Sequence, residues 1–372
     1  MLNVVVACTA AAAAALLWLS YTWIRTRRFP QTAELTRPVK EHGGDDKTPL
    51  ITPLDGLVWQ DEKPKQLRPF KPTYHITLAL QADTPQELIT IDRDYLSRVT
   101  LRRSLLAAHG GTVHGCTRPG RAAVRELYAY LLGSYLPTRY PTIFRRTGDG
   151  GGLLNTATGA THPRRRPLDD DDDPAAALRI LGETVEEDLF LLRETPAGHE
   201  STAFVCCFPA GFDPSEKLGR LLREIHRPVP GYDRIAKSME RFFSKLEVGR
   251  SVKRMNWSVQ THDQLFNCKA NPVLANEDSN TLDDDNIDIS KAEPRQTFVR
   301  IELQTLTRLP ETRAILFSFK TYMYPVTQFK DEGNGPAFAD AVEGLGSGNA
   351  PGMGVYKGSP RWGKAVCAYL RS

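Results

Sequence analysis

Hydrophobic positions along the chain follow two patterns, one with a helical period and one with a strand period. Arg121–Leu136 repeats apolar residues every three to four positions before Pro137, which predicts an amphipathic helix. Phe298–Leu306 and Ala314–Met323 are largely apolar runs joined around Pro310, which predicts two antiparallel strands. Strands in series with separate helices indicate an α+β fold.

Further elements are expected on both sides of this strand pair. Leu189–Leu192 and Ala203–Phe208 resemble strands that pair through a turn at Thr195–His199. The residue pattern also predicts a short strand and turn at Glu87–Thr100, a helix at Met239–Leu246 and a final strand at Ala365–Leu370.

The run Phe208–Tyr232, FPAGFDPSEKLGRLLREIHRPVPGY, reads as a strand end followed by a capped helix. Asp213 is a favourable N-cap and Pro214 suits the first helical position. Leucines and an isoleucine recur at helical spacing until Pro228 stops the helix. His226 lies at this end, where interaction with the helix dipole and free carbonyls is the favoured interpretation from spacing alone. An iron or metal ligand is the alternative.

The strand around residues 299–306 alternates between apolar and polar side chains. Arg300, Glu302 and Gln304 share one face, and the residues between them share the other. Periodicity alone favours a solvated sheet surface for the polar row, and a polar pocket is the alternative.

The N-terminus contains an uncharged stretch, Leu2–Ile24, followed at once by Arg25, Arg27 and Arg28. A helix over this stretch would be roughly 34 Å long, enough to span a bilayer. We predict a transmembrane anchor at residues 1–24, with the domain on the cytosolic side by the positive-inside rule, at the endoplasmic reticulum. A signal sequence leading to the lumen is the alternative.

Composition divides the rest of the chain. Residues 25–70 are predicted to be a basic stop and a proline-rich linker, and residues 71–372 a single domain. Low-complexity insertions are expected near 147–176 and 276–293. The glycines of the first insertion match no phosphate-binding motif, and its aspartate run lacks the spacing of a calcium loop.

The overall composition is that of a folded protein, with 41% hydrophobic residues, 25% charged residues and a net charge of +4. No basic stripe is interleaved with aromatics, which argues against nucleic-acid binding. The six cysteines form no CxxC pair and no CxxCH, which excludes covalent c-type haem attachment. Cys206 and Cys207 are best explained as small buried hydrophobes.

Four segments together resemble one known family. They are EEDLFLL at Glu186–Leu192, the run Phe208–Tyr232, RMNW at Arg254–Trp257, and VRIELQTLTRLPETRAILFSFKTY at Val299–Tyr322. In order and spacing they are similar to the haem-dependent oxidative N-demethylase alpha-subunit-like family, in a fungal-type branch with an N-terminal membrane anchor. The resemblance covers about residues 74–370.

The resemblance implies a PAS-like domain, an antiparallel sheet with flanking helices, that binds haem b through a histidine ligand to the iron. It favours His226 as that ligand, because His226 lies inside the strongest motif. His262 and His199 are the main competitors. The weaker candidates, which precede the motifs, are His75, His109 and His114.

The activity implied by the resemblance is O2-dependent oxidative N-demethylation of a small amine, releasing formaldehyde. The chain carries no nicotinamide, flavin or iron–sulfur signature, so a separate reductase is expected as the electron donor. The alternative is a haem-binding sensor or carrier without catalytic turnover, and a third interpretation is a tethered interaction protein that has lost haem.

The resemblance also implies roles for individual residues. Glu302 is the candidate distal carboxylate, positioned by Arg300, and would pair with an ammonium substrate. Arg254 is a candidate partner for a haem propionate, while Asn256 and Trp257 would orient or pack the pocket. A surface charge and a core aromatic are the ordinary alternatives for this segment.

Two positions depart from the family pattern. The family tends to have arginine where this chain has Leu303, and tryptophan where it has Phe212. The missing arginine removes a charge that would balance a carboxylate or a haem propionate. The departure therefore bears on substrate and activity more than on haem binding.

Overall fold

The computed structural model describes residues 50–148, 151–164, 173–268 and 296–372. The predicted membrane anchor and the predicted insertion at 276–293 lie outside these ranges. Across the described ranges, no helix is both long enough and apolar enough to cross a bilayer.

Within the described ranges, ten strands form two antiparallel sheets. The strands are β1 (Gln81–Asp83), β2 (His114–Cys116), β3 (Phe144–Arg146), β4 (Gly152–Asn155), β5 (Thr161–Pro163), β6 (Asp188–Thr195), β7 (Gly198–Val205), β8 (Ser251–Gln260), β9 (Phe298–Arg308) and β10 (Ile315–Pro325). The large sheet has the order β1-β8-β9-β10-β6-β7-β2, and the small one the order β3-β4-β5. The α+β class with a large antiparallel sheet is therefore confirmed.

The helices flank the large sheet. They are α1 (Tyr95–His109), α2 (Arg121–Tyr130), α3 (Leu136–Arg139), α4 (Pro174–Thr184), α5 (Leu222–Ile225), α6 (Asp233–Lys245), α7 (Val326–Asp331), α8 (Gly335–Glu343), α9 (Met353–Tyr356) and α10 (Ser359–Arg371). A π-helical turn at Leu131–Tyr135 joins α2 to α3, so the predicted helix continues past its expected end.

The two faces of the central strands β8, β9 and β10 carry different side chains. We call the face that carries Arg254 and Glu302 the front face, and the face that carries Trp257, Ile301 and Tyr322 the back face. Because strand residues alternate, each segment contributes to both faces. Helices cover both faces, so this part of the sheet lies inside the domain.

Apolar contacts hold the helices on each face. On the back face, Ile301 and Tyr322 pack in one cluster with Phe338 of α8 and Trp362 of α10. On the front face, helices α5 and α6 pack against the apolar end of β8 and β9 through a cluster that includes Leu222, Phe243, Val252 and Leu306. Burying one such side chain contributes about 1.5–3 kcal/mol, which fixes the position of the short α5.

The segment before His226 is not one continuous helix. A 3-10 turn at Pro214–Lys217 is followed by a break and then α5. Asp213 caps the first turn as predicted, its Oδ1 accepting from the Ser215 amide at 2.8 Å. Gly219 has φ +73°, and its amide donates to the Ser201 carbonyl at 2.7 Å. This bond to β7 ends the first turn, which is why the single-helix prediction is wrong.

Two other predictions of local structure are wrong. Tyr95, inside the expected strand and turn at Glu87–Thr100, begins α1. The expected final strand belongs to α10, where Trp362, Val366 and Leu370 recur every four residues and are buried. A short apolar run does not distinguish a strand from a buried helix face. The β6–β7 hairpin is confirmed, with Thr195 opposite Gly198.

Residues 50–70, placed by composition in the linker, pack on the domain. The Trp59 ring lies edge-on to Tyr95 with centroids 6.0 Å apart, and Phe70 lies 4.4 Å from the Phe338 ring. The Leu54 amide donates to the Arg139 carbonyl at 2.8 Å. Residues 50–70 accordingly belong to the same compact unit as the rest of the described domain.

Candidate functional site

The polar row of β9 is buried. Arg300 is 1% exposed and Glu302 is 8% exposed, while Gln304 is half-buried. The prediction of a solvated sheet surface is therefore wrong at this strand. Buried charged groups need partners or ligands, so the surroundings of each group decide what the row can do.

Strand register brings the RMNW segment beside this row. Asn256 lies opposite Glu302 and Arg254 lies opposite Gln304. Opposed residues of antiparallel strands point to the same face with Cβ atoms about 4.5–5.5 Å apart. The Gln304 amide donates to Glu302 Oε2 at 2.9 Å, which orients the carboxylate. The front face therefore joins Arg254, Asn256 and Glu302 in one polar patch.

Arg254 supplies a cation with no partner in the described part of the chain. Its guanidinium makes no hydrogen bond or ion pair there, and its Nε is buried. Burial lowers the pKa of Arg254, while Tyr74 and Glu302 act in the opposite direction. A guanidinium in this state suits a carboxylate ligand, which it binds through two parallel hydrogen bonds.

Lys357 is a second cation at the same place, and the sequence analysis missed it. Its Nζ donates to Asn256 Oδ1 at 3.1 Å and also to the Trp257 carbonyl. The pKa of Lys357 is lowered to about 8, chiefly by burial, which the charge of Glu302 opposes and the charge of Arg254 reinforces. Lys357 follows α9 in a turn, GVYKGSP, whose sequence has no sign of a buried amine.

Arg300 links separate loops more than it orients Glu302. Its guanidinium donates to the carbonyls of Phe208 and Leu265, the latter at 3.0 Å, and to Thr321 Oγ1 at 3.3 Å. Its Nε lies 3.8 Å from Glu302 Oε1. Arg300 therefore holds the start of the Phe208–Tyr232 run against the sheet.

Trp257 is not brought to the front face. It lies on the back face, where its ring packs edge-on to Phe70 and Phe338 at centroid distances of 6.0 and 5.4 Å. Leu303 also lies on the back face, opposite Lys320 of β10. A charged side chain at position 303 would therefore point away from Glu302. The expected link between this departure and the carboxylate does not follow from the geometry.

His226 is the C-cap of α5. Its Nδ1 lies 2.8 Å from the Leu222 carbonyl, and its ring stacks on Tyr232 with centroids 5.0 Å apart. Because a carbonyl only accepts, Nδ1 carries the proton and Nε2 keeps its lone pair. Burial lowers the pKa of His226 and the Arg254 charge lowers it further, which favours the neutral ring. Metal-binding histidines commonly have this arrangement.

The other histidines occupy different environments. His199 is buried, with Nδ1 2.6 Å from a carboxylate oxygen of Glu240 and with Nε2 lacking a partner. His262 lies 3.2 Å from the Gln260 amide in the turn after β8. In the described ranges, no group of three or more His, Cys, Asp or Glu residues could hold a metal ion.

The EEDLFLL motif anchors the run that leads to His226. Asp188 accepts from the amides of Cys207 at 2.7 Å and Phe208 at 2.9 Å, and pairs with the buried Arg102 at 2.5 Å. Both Cys206 and Cys207 are fully buried, and burial raises the pKa of each thiol, so they are inert packing groups as predicted. The first motif thus fixes the strand end of the second.

A sequence model described as haem-dependent oxidative N-demethylase, alpha subunit-like, matches residues 79–367. The chain belongs to this family. The match contains all four motif segments, so the resemblance inferred from them is confirmed. The description of this family indicates haem dependence and oxidative chemistry.

Proposed function

We propose that this protein is a haem b oxidoreductase that removes an N-methyl group from a small amine, with His226 as the axial ligand. The observation that carries the proposal is the His226 ring, whose Nδ1 is bonded to the Leu222 carbonyl. Nε2 is left as a ligand atom, and it makes no hydrogen bond within the described residues. Membership of the family supports the haem assignment.

The position of His226 supports the same assignment. Leu222 and the half-buried Ile225 of α5 pack in one cluster with Val252 of β8, on the face that carries Arg254. The charge of Arg254 also acts on the pKa of His226, so the two groups are electrostatically coupled. An iron held by His226 would therefore have a cation available for a haem propionate.

The residues of the front face fit haem and an amine together. Arg254 would hold a propionate, and Asn256 would keep the edge of β8 polar. Haem, when bound, supplies the iron that reduces O2. The carboxylate of Glu302, oriented by Gln304, would pair with the substrate ammonium and hold its methyl group in position. Trp257 would support this strand from behind.

We also propose the finer features implied by the family resemblance. The sheet with helices on both sides would be a PAS-like domain. The N-terminal segment 1–24 would anchor the chain in the endoplasmic reticulum membrane with the domain in the cytosol. A separate reductase would supply electrons, since the sequence carries no signature of a second redox cofactor.

Absorption spectroscopy tests the haem assignment. The full chain, supplemented with haem, should show a Soret band, and His226→Ala should lose the histidine-ligated spectrum. His199→Ala and His262→Ala are the matched controls and should retain it. A chain without any Soret band would contradict the proposal, as would a His226→Ala protein with unchanged axial ligation.

A formaldehyde assay then separates an enzyme from a sensor or carrier. With haem, a chemical reductant and O2, methylated amines should yield formaldehyde. Glu302→Gln should lower the rate while leaving the Soret band unchanged, because it removes the charge that pairs with the ammonium. A Soret band without formaldehyde from any methylated amine would favour the sensor or carrier.

A further inference from the structure

Arg254 on the front face and Lys357 at the edge of β8 are two cations, buried or half-buried, that have no anionic partner among the described residues. The charge of Arg254 acts on the pKa of Lys357, so the two groups are electrostatically coupled. Neither Arg254 nor Lys357 has a carboxylate within 4 Å among the described residues. Glu302 is the carboxylate that acts electrostatically on both. It is held at its own position by Gln304, at 2.9 Å, and lies 3.8 Å from Arg300.

The position of Lys357 is set by the edge of the sheet. Strand β1 pairs with β8 only at Ser251–Lys253, so the edge beyond Arg254 has no strand neighbour in the described structure. Lys357 reaches this edge and donates to the Trp257 carbonyl and the Asn256 side chain. It is 8% exposed, and its Nζ lies 5.1 Å from the centre of the Trp257 ring.

Both groups bonded by Lys357 are neutral oxygen acceptors. A buried ammonium with only neutral acceptors is poorly compensated, because burial costs much of its hydration energy. Arg254 has no acceptor at all in the described residues. An anion between the two cations would satisfy both, and the planar guanidinium specifically favours a carboxylate.

We propose that Arg254 and Lys357 form a carboxylate-binding subsite beside Glu302. The carboxylate has two possible sources, a haem propionate or the substrate itself. In the proposed function, Glu302 pairs with the ammonium of the substrate. If the carboxylate also belongs to the substrate, the substrate is an N-methylated amino acid, which carries both charges. The substrate source rests on the proposed function, whereas the subsite itself does not.

The subsite is tested first without haem. Isothermal titration of the haem-free full chain with propionate, N,N-dimethylglycine and dimethylamine at pH 7 should detect the two carboxylates. Lys357→Met and Arg254→Gln should each weaken their binding at least tenfold. Lys364→Met, which removes an exposed lysine of α10, is the control and should leave it unchanged.

The variant Lys357→Arg, which keeps the positive charge, distinguishes the loss of a charge from a folding defect. The affinity of Lys357→Arg for the carboxylates should be within about threefold of that of the original chain. This difference is smaller than the tenfold change, about 1.4 kcal/mol, expected for Lys357→Met. Thermal unfolding should show that each variant remains folded. Carboxylate binding that is absent in the original chain, or equal in Lys357→Met and Lys357→Arg, would overturn the subsite.

A second arm identifies the source of the carboxylate. If it is haem, haem dimethyl ester should bind at least tenfold more weakly than haem, and Lys357→Met should remove that difference. If it is the substrate, N,N-dimethylglycine should bind at least tenfold more tightly than dimethylamine to the haem-loaded chain. The absence of both preferences would overturn the proposal. Absence of a Soret band would instead defeat the proposed function and leave the haem-free arm decisive.

Discussion

The back face of the central strands and the open edge of β8 each bury a lysine, and the two lysines have opposite surroundings. On the back face, Lys320 donates to Asp92 at 2.8 Å, to Glu186 at 2.9 Å and to the Thr90 carbonyl at 2.9 Å. At the edge of β8, Lys357 has only the two neutral acceptors described above within the part of the chain that the structure describes. Lys320 of β10 is thus a matched cation, whereas Lys357, which reaches the sheet edge from the turn after α9, is an unmatched one.

The difference separates structure from ligand binding. Lys320 and its carboxylates compensate one another, so this group needs nothing from outside to remain buried. Arg254 and Lys357 have no such partner among the described residues, and the proposed subsite would supply one. Changes at Lys320 should therefore act on stability, and changes at Arg254 and Lys357 should act on ligand binding.

The largest expected effect is on the back face. Lys320→Met would leave Asp92 and Glu186 buried without their cation, and should lower the free energy of unfolding by about 3–5 kcal/mol. Lys357→Met breaks no ion pair in the described structure and should cost less. Urea unfolding of both variants measures the contrast. Equal losses would show that the two lysines do not differ as described.

Removal of the proposed axial ligand should have a large effect on activity and a small one on stability. His226→Ala should lower formaldehyde release at least hundredfold, about 2.7 kcal/mol in activation free energy. Its half-buried ring has one hydrogen bond, to Leu222, so the free energy of unfolding should fall by only about 1 kcal/mol. A stability loss comparable to that of Lys320→Met would instead assign His226 a structural role.

A new charge on the back face tests the orientation of β9. Leu303→Arg would place a second cation opposite Lys320 in a packed region, and should cost about 1–3 kcal/mol of stability. It should not strengthen propionate binding, because the side chain points away from Glu302. Tighter binding of propionate by this variant would contradict the assignment of Leu303 to the back face.

The smallest expected effect is a pH dependence of carboxylate binding. The folded-state pKa of Lys357 is lowered to about 8 from an ordinary 10.5. The contribution of Lys357 to the free energy of unfolding is therefore fully present above pH 10.5, and it is lost as the pH falls toward 8. Its ammonium is lost above pH 8, so propionate affinity should decline up to tenfold per unit from there. A flat profile between pH 7 and 9.5, read by calorimetry, would contradict the role of Lys357.

The alternation of β9 could be read from the sequence, and the environment of its polar row could not. A period of two places Arg300 and Glu302 on one face and Leu303 on the other whatever covers them. Burial of Arg300 depends on the loops that carry Phe208 and Leu265, which are distant from it in sequence. The same holds at Gly219, where a hydrogen bond to Ser201 of another strand overrides the helical pattern.

The site itself was predictable only where motifs carry it. Arg254, Asn256 and Glu302 lie in segments shared with the family, and strand register brings them together. Lys357 lies about a hundred residues from Asn256 and outside these motifs, so only the packed chain reveals it. Trp257 follows Asn256 directly, and that adjacency itself sends it to the opposite face.

Strands β8 and β9 are neighbours in the sheet, with Gln260 opposite Phe298, although many residues separate them along the chain. The pairing of Gln260 with Phe298 fixes where the chain leaves the sheet and where it returns. This makes the connection a natural place for engineering. A protease site or fluorescent tag inserted between residues 269 and 295 should leave Arg254 and Glu302 in register while reporting on the folded domain.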